Sequence, residues 1–495
     1  MYLDLLLAAL PPIIAIVLAL ITKEVYFSLL IGILSGALVY SNFNPIGMIE
    51  STFEVMNNKV GGNVYIIIFL VLLGMVVALM TKSGASSAYG RWASKSISSK
   101  RGASFATAGL GALIFVDDYF NCLTVGAVMR PVTDRFKMSR AKLAYIIDAT
   151  AAPVCIIAPI SSWAAAVSSS LPESSTTDGF SLFLRTIPFN LYALLTLAMI
   201  VIIVWLKFDF GKMRKCEELM TELPEAETSA EASKSKGRVF DLVLPIVVLI
   251  VSCILFMLYT GGFFSGVDFV TAFGDCSSAK SLALGSFVTI VFIAALYLPR
   301  KVISFKQFTE SLTDGFKAMV PAILILTLAW TLSGICGEGY LDLGNCVKNV
   351  LGDSSLAIGF MPAIFFAISL GLAFATGTSW GTFGILIPIA LAVLGDGMSN
   401  ALVYSVAATL SGAVCGDHIS PISDTTILAS AGADCNHIEH VSTQIPYAMI
   451  VAVCSFIGYL ITGLLDNGWL GLGVGFVLLA ACLGGLYTKS KKTAK

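Results

Sequence analysis

Apolar runs long enough to cross a lipid bilayer recur from one end of this chain to the other. Backbone groups in hydrocarbon must find partners inside the fold, and helices of this length supply them internally. We therefore expect an all-α polytopic membrane protein. Segments 5–21, 25–40, 64–81, 141–165, 187–206, 239–260, 282–298, 319–337, 401–430, 445–465 and 469–487 read as spans, about eleven spanning helices. Only 12% of residues are charged, against roughly 25% in soluble domains. No stretch outside the runs could bury a soluble core, and no P-loop occurs, so neither an enzyme nor an ATP-driven device is expected. Met1 to Ile21 lacks a basic leader and a cleavage site and reads as a retained helix. The cysteines lie mostly in apolar runs without metal-ligand spacing, as small hydrophobes do.

Two further apolar stretches, 104–129 and 358–394, are broken in the middle by polar residues. Lysine and arginine mark the cytoplasmic side of a membrane protein. Of the 30 basic residues, 26 fall at Lys23, in 82–101, 130–142, 207–238 and 299–318, and in the C-terminal tail. This pattern puts the linker and C-terminus in the cytoplasm and the N-terminus outside. Both flanks of 104–129 are basic, so that stretch should be a re-entrant hairpin entering from the cytoplasm. Stretch 358–394 has few basic neighbours and should enter from outside. Loop 431–443 fits poorly: it should be cytoplasmic yet has no lysine or arginine.

An internal repeat joins these features. A shift of 260 residues brings Cys155 onto Cys415 and Gly74 onto Gly334. Two more residues bring Pro159-Ile160-Ser161 onto Pro421-Ile422-Ser423. The expected organisation is an extra N-terminal helix (1–24), inverted repeat 1 (25–206; hairpin 104–129, broken helix 141–165) and a flexible cytoplasmic linker (207–238). A connecting helix (239–281), inverted repeat 2 (282–465; hairpin 358–394, broken helix 401–430) and a C-terminal helix with a basic tail (466–495) follow. Two inverted-topology repeats, each with a re-entrant hairpin and a broken transmembrane helix, are a common plan for secondary transporters.

Polar clusters sit where hydrocarbon should be. Hairpin 1 carries Asp117, Asp118 and Asn121. Hairpin 2 carries Gly377, Thr378, Ser379 and Thr382. The second broken helix carries Asp417, His418, Ser423, Asp424, Thr425 and Thr426, and its counterpart carries Ser161 and Ser162. A charge at this depth costs about 2.5–3.5 kcal/mol on insertion scales and is usually functional. Carboxylates, hydroxyls and unwound carbonyls suit a hard cation. A carboxylate in a low-dielectric site can also hold a proton, so one acid can serve both ions in turn. Asp417 and Asp424 lead as cation and proton residues, with Thr378, Ser379 and Ser423 as neutral ligands. Asp117, Asp118, Asn121, Gly377 and Ser161 belong to the wider ion- or substrate-binding set. Structural alternatives stand beside these. Asp117 and Asp118 could cap a half-helix, Asp417 or Asp424 taken alone could be a structural cap, and His418 could be a satisfied polar residue. Asp148 could be either structural or a vestibule group. His437 and His440 read as solvated loop residues.

GTSWGTFGILIPIA (377–390), GDHISPISDTTILAS (416–430) and FVDDYFNCLTVG (115–126) resemble signature segments of the NhaC family of sodium/proton antiporters. The resemblance implies exchange of external protons for cytoplasmic sodium across the bacterial inner membrane, on a fold of two inverted repeats. It implies no cofactor, with sodium and the proton as transported species. Some relatives exchange organic solutes, such as malate for lactate, or are suspected amino-acid carriers, so a coupled carrier of an organic acid or amino acid is the alternative. Expected partners are membrane lipid, sodium, a small organic solute and a second copy in a homodimer, with no nucleic acid.

Overall fold

The computed structural model describes residues 2–493 other than 23, 86–87, 89–96, 172–174, 176, 223–236, 270–271, 273–275, 338, 343–354, 396 and 422. Among the described residues it is helical, with no strand. The first helices are α1 (Tyr2–Thr22), α2 (Val25–Tyr40), α3 (Pro45–Gly62) and α4 (Val64–Lys82). Hairpin 1 is α5 (Lys100–Leu113) and α6 (Asp118–Arg135). The first broken helix falls into α7 (Arg140–Asp148), α8 (Ala152–Cys155) and α9 (Ser162–Ser168). Then come α10 (Gly179–Thr186), α11 (Leu191–Leu206), α12 (Gly211–Glu222), α13 (Phe240–Thr260), α14 (Ser278–Tyr297) and α15 (Phe305–Cys336). Hairpin 2 is α16 (Ser355–Thr376) and α17 (Ser379–Leu394), and the second broken helix is α18 (Asn400–Ile419) and α19 (Asp424–Ala433). The chain ends with α20 (His437–Leu464) and α21 (Gly468–Thr493).

Helix starts follow the capping chemistry of the sequence. Ser99, Ser139, Ser161, Thr378, Ser399, Ser423 and Asn436 each accept a backbone N–H from the first turn of the helix they precede. Ser304 and Gln307 form a reciprocal capping box at α15. Ser161 and Ser423, which the internal repeat pairs, are both N-caps of the half-helix after a break.

Seven helices among the described residues are long and apolar enough to cross a membrane, and two bent pairs raise this to nine, by length and composition. The expected eleven included 141–165 and 401–430. Backbone interruptions divide the first into pieces of 9, 4 and 7 residues and the second into pieces of 20 and 10. Conversely, Ile358–Thr376 qualifies alone, so the first arm of hairpin 2 has full membrane length, where a dipping arm was expected. Other regions differ from the sequence reading. Segment 45–62 forms α3, bent 118° from α2, and α15 runs on through the basic loop before it. Part of the expected flexible linker is the helix α12, which buries Met213; residues 223–236 of that linker lie outside the described residues.

The feature that positions the site is the contact between α16 and α18. Gly412 lies against the Phe366 carbonyl and Gly416 against that of Leu370. The Ser369 hydroxyl donates to the Thr409 carbonyl at 2.5 Å. Contact positions rise together along both helices, so the two run parallel. Small residues four apart permit such close approach. A Cβ on Gly416 would sit 2.3 Å from the Leu370 oxygen, whereas one on Gly473 in α21 meets nothing within 4 Å. Gly416→Val is therefore expected to lower the thermal unfolding midpoint in detergent, by an overpacking cost of about 1–3 kcal/mol, and Gly473→Val is not; equal midpoints would contradict this packing.

Candidate functional site

Parallel packing of α16 and α18 brings two backbone breaks to one level. The first, at Gly377 and Thr378, needs glycine because Gly377 has φ +68°. Thr378 then caps α17, accepting from Gly381 N at 3.3 Å. The second break runs from Ser420 to Ser423, where Pro421 cannot continue a regular helix.

Asp417, in the last turn of α18, is 3% exposed. Its Oδ2 accepts from the Ser379 hydroxyl at 3.0 Å and the Thr425 hydroxyl at 3.1 Å, and Ser423 lies beside it. Its Oδ1 is buried with no protein partner among the described residues. Hairpin 2, the end of α18 and the first turn of α19 thus converge on one carboxylate.

A second carboxylate, Asp148 at the end of α7, is wholly buried. Its Oδ2 accepts from Gln444 Nε2 at 2.6 Å and the Thr426 hydroxyl at 3.2 Å, and lies 3.3 Å from His440 Nε2. Its Oδ1 faces His418 Nε2 at 3.9 Å. His418 Nδ1 is 3.1 Å from the Tyr192 hydroxyl, and the His418 carbonyl accepts from Gln444. Thr426 also donates to the Asp417 carbonyl at 3.3 Å. Consecutive threonines at the start of α19 therefore hold one carboxylate each, where the helix dipole favours negative charge.

Hairpin 1 supplies a third polar centre. Asp117 and Asp118 are buried at its break. Asp118 Oδ2 accepts from Trp163 Nε1 at 3.1 Å, and the charges of Asp118 and Asp417 lie close enough to interact. Trp163 packs edge-on against Trp380 of hairpin 2, centroids 6.1 Å apart. The Ser162 N–H donates to the Val116 carbonyl in the break at 2.9 Å. Each hairpin tip thus bonds to the broken helix of its own half.

The structure brings Asp417, Ser379, Ser423, Thr425 and Thr426 together. Gly377 and Thr378 act there through turn and cap. Asp424 opens α19, but its side chain lies outside the described residues. Ser161 caps α9 and donates to the Cys155 carbonyl at 2.8 Å. Asn121 turns its amide to the carbonyls of Gly111, Ile114 and Thr150, tying the hairpin 1 break to α7. His437 is not a solvated loop residue: it is half-buried at the start of α20, with Nε2 2.7 Å from the Pro421 carbonyl and Nδ1 3.2 Å from the Ser430 hydroxyl. His440 is not solvated: it is fully buried against Asp148, because α20 begins inside the supposed loop 431–443. His440 and Gln444 are the partners that the sequence reading missed; Asp148, which it left open between a structural and a vestibule role, is the acid they meet. The signals were an acid inside an apolar run, polar residues four apart on a helical period, and a loop without the basic residues its side should carry.

The profile of the Na+/H+ antiporter family matches residues 164–464, more than half of the chain. The chain belongs to the Na+/H+ antiporter family. It is a multi-pass membrane transporter of antiporter type. The matched region holds Asp417, His418 and His440, while Asp148 and hairpin 1 precede it. A protein of uncharacterised function from Haemophilus influenzae is 38% identical over 486 residues, 95% of this chain and 93% of its own. The malate-2H(+)/Na(+)-lactate antiporter of Bacillus subtilis is 31% identical over 182 residues, 36% of this chain and 37% of its own. The arginine/ornithine antiporter ArcD of Halobacterium salinarum is 40% identical over 108 residues, 21% and 22% respectively.

A hydrogen bond to a charged group contributes about 1.5–3 kcal/mol. Gln444→Leu is accordingly expected to lower stability in detergent by that amount through the loss at Asp148. Combined with Asp148→Asn it should cost less than the sum of the single changes, because the two share one contact; strict additivity would remove Gln444 as the partner of Asp148.

Proposed function

We propose that the protein exchanges sodium ions for protons by alternating access, with sodium and a proton competing for the carboxylate of Asp417. The observation that carries this reading is a buried carboxylate at the meeting of two backbone breaks, with one oxygen lacking a hydrogen-bond partner among the described residues. Around it stand the hydroxyls of Ser379, Ser423 and Thr425. Oxygen ligands of this kind replace the hydration shell of a hard cation. With sodium absent, a proton on the carboxylate removes the cost of holding an uncompensated charge away from water. Thr378 and Gly377 shape the first of these breaks, and Asp424, the first residue of α19, is proposed to complete the cation site. Asp117, Asp118, Asn121 and Ser161 shape the neighbouring centre in hairpin 1.

Asp148 belongs to the same apparatus, linked to Asp417 through Thr426. In this reading the two halves are inverted repeats, 25–206 and 282–465. Each brings a hairpin and a broken helix to a shared midplane, and one bundle rocks against the other. The basic segments and the C-terminal tail face the cytoplasm, and the membrane is the bacterial inner membrane. The scaffold pairs as a homodimer.

Carriage of an organic solute is a second reading. It is favoured by the likeness of parts of the chain to relatives whose names include malate, lactate, arginine and ornithine. Purified protein in liposomes separates the two. A sodium gradient alone should drive an internal pH change, and Asp417→Asn should reduce it to the level of empty liposomes. Exchange that requires added malate or arginine would favour the second reading. Full exchange by Asp417→Asn would remove this carboxylate from the mechanism.

A further inference from the structure

Away from the carboxylates, a cavity of about 600 Å³ opens between the start of α5, the end of α11, and α12. Three acids in its wall each hold one cation. Lys142 pairs with Asp209 at 2.6 Å, Lys100 with Glu217 at 2.5 Å and Arg214 with Glu218 at 2.6 Å. Burial opposes ionisation of Glu217, but Lys142 and Lys100, with hydrogen bonds from Lys100 and the Ser139 N–H, hold its carboxyl below the usual range. These acids are therefore occupied.

Two wall cations, Arg101 and Lys207, have no acidic partner among the described residues. Arg101 donates through Nη2 to the Trp205 carbonyl at 2.7 Å and rests 6.0 Å from the Trp205 ring, and its Nε is buried without a partner among the described residues. Lys207 is exposed at the C-cap of α11. The N-terminus of the 14-residue α5 faces the same space. The cavity thus carries a surplus of positive charge and N–H donors, the complement of an anionic phosphate. Val201 and Trp205, which lead to it along α11, are 50% and 65% exposed. Such an aromatic at the end of an apolar helix marks the membrane interface.

We propose that this cavity binds the phosphate of an anionic phospholipid, with the headgroup on Arg101 and Lys207 and the acyl chains along the exposed face of α11. The exposed α11 surface favours a lipid over free phosphate, which would leave Val201 and Trp205 without a role. The site also touches the transport machinery. Glu217 in α12 accepts the N–H of Ser139, the N-cap of α7, at 2.7 Å, and α7 ends at Asp148. An occupant of the cavity would steady the helix that carries this acid.

Native mass spectrometry of the full chain in detergent tests the site, with phosphatidylglycerol, phosphatidylcholine and inorganic phosphate as probes. Phosphatidylglycerol should be retained in preference to phosphatidylcholine, and excess inorganic phosphate should not displace it. Arg101→Gln with Lys207→Gln should weaken its binding about thirtyfold, from roughly one basic-residue contribution each. Lys301→Gln with Lys317→Gln, elsewhere on the surface, should not. If the double variant fails to fold, Lys207→Gln alone, at an exposed position, should still weaken binding severalfold. Equal retention of the two lipids, displacement by phosphate, equal loss in the control pair, or unaltered binding in the Arg101 and Lys207 variants would each overturn the proposal.

Discussion

A carboxylate held away from water must be met by donors, and in lipid a regular helix has none to spare. This constraint organises the protein. The buried Asp117 and Asp118 lie at the break of hairpin 1, and Asp148 and Asp417 each lie at the end of a helix where the chain is interrupted. Interruption frees backbone groups and side-chain hydroxyls that an unbroken span would turn inward. The first turn of α19 supplies Thr425 to one acid and Thr426 to the other. The amide of Gln444 reaches from α20 to complete the second. A charge, a break and a capped half-helix thus form one physical unit.

That unit works only if the breaks lie at the same depth, and packing decides this. Gly412 and Gly416 let α18 press against α16 at near-backbone distance, so that the two helices end together. A similar closeness recurs between α4 and α15, where Gly74 and Gly315 face each other's backbone. In lipid there is little hydrophobic drive to bring helices together, so small residues that permit close van der Waals contact take its place. The scaffold and the site are built by the same means.

Membership of the Na+/H+ antiporter family, established over residues 164–464, covers the half of the site around Asp417. The partners from before that region are joined to it by contacts that cross the chain: Asp148 through Thr426, and Asp118 of hairpin 1 through Trp163, which packs on Trp380. An antiporter needs a site that can face either side without losing its ligands. Here the groups around Asp417 come from hairpin 2, the end of α18 and the first turn of α19.

Much of this was legible in the amino-acid sequence. The apolar runs imposed helices, the polar interruptions marked both hairpins, and the repeated Pro-Ile-Ser aligned Ser161 with Ser423, which the sequence offered as binding residues and the structure makes N-caps. Asp417 stood out because a charge in hydrocarbon is costly and usually functional. These are local properties, set by periodicity, capping and the cost of charge in lipid. The pairing of Asp148 with His440 and Gln444, residues almost 300 positions away, was not legible. A histidine before a long apolar run reads as solvated until another element covers it, and a buried acid shows no partner until the chain closes on itself. Which donor meets which carboxylate depends on where helices cross, and only the tertiary structure decided that.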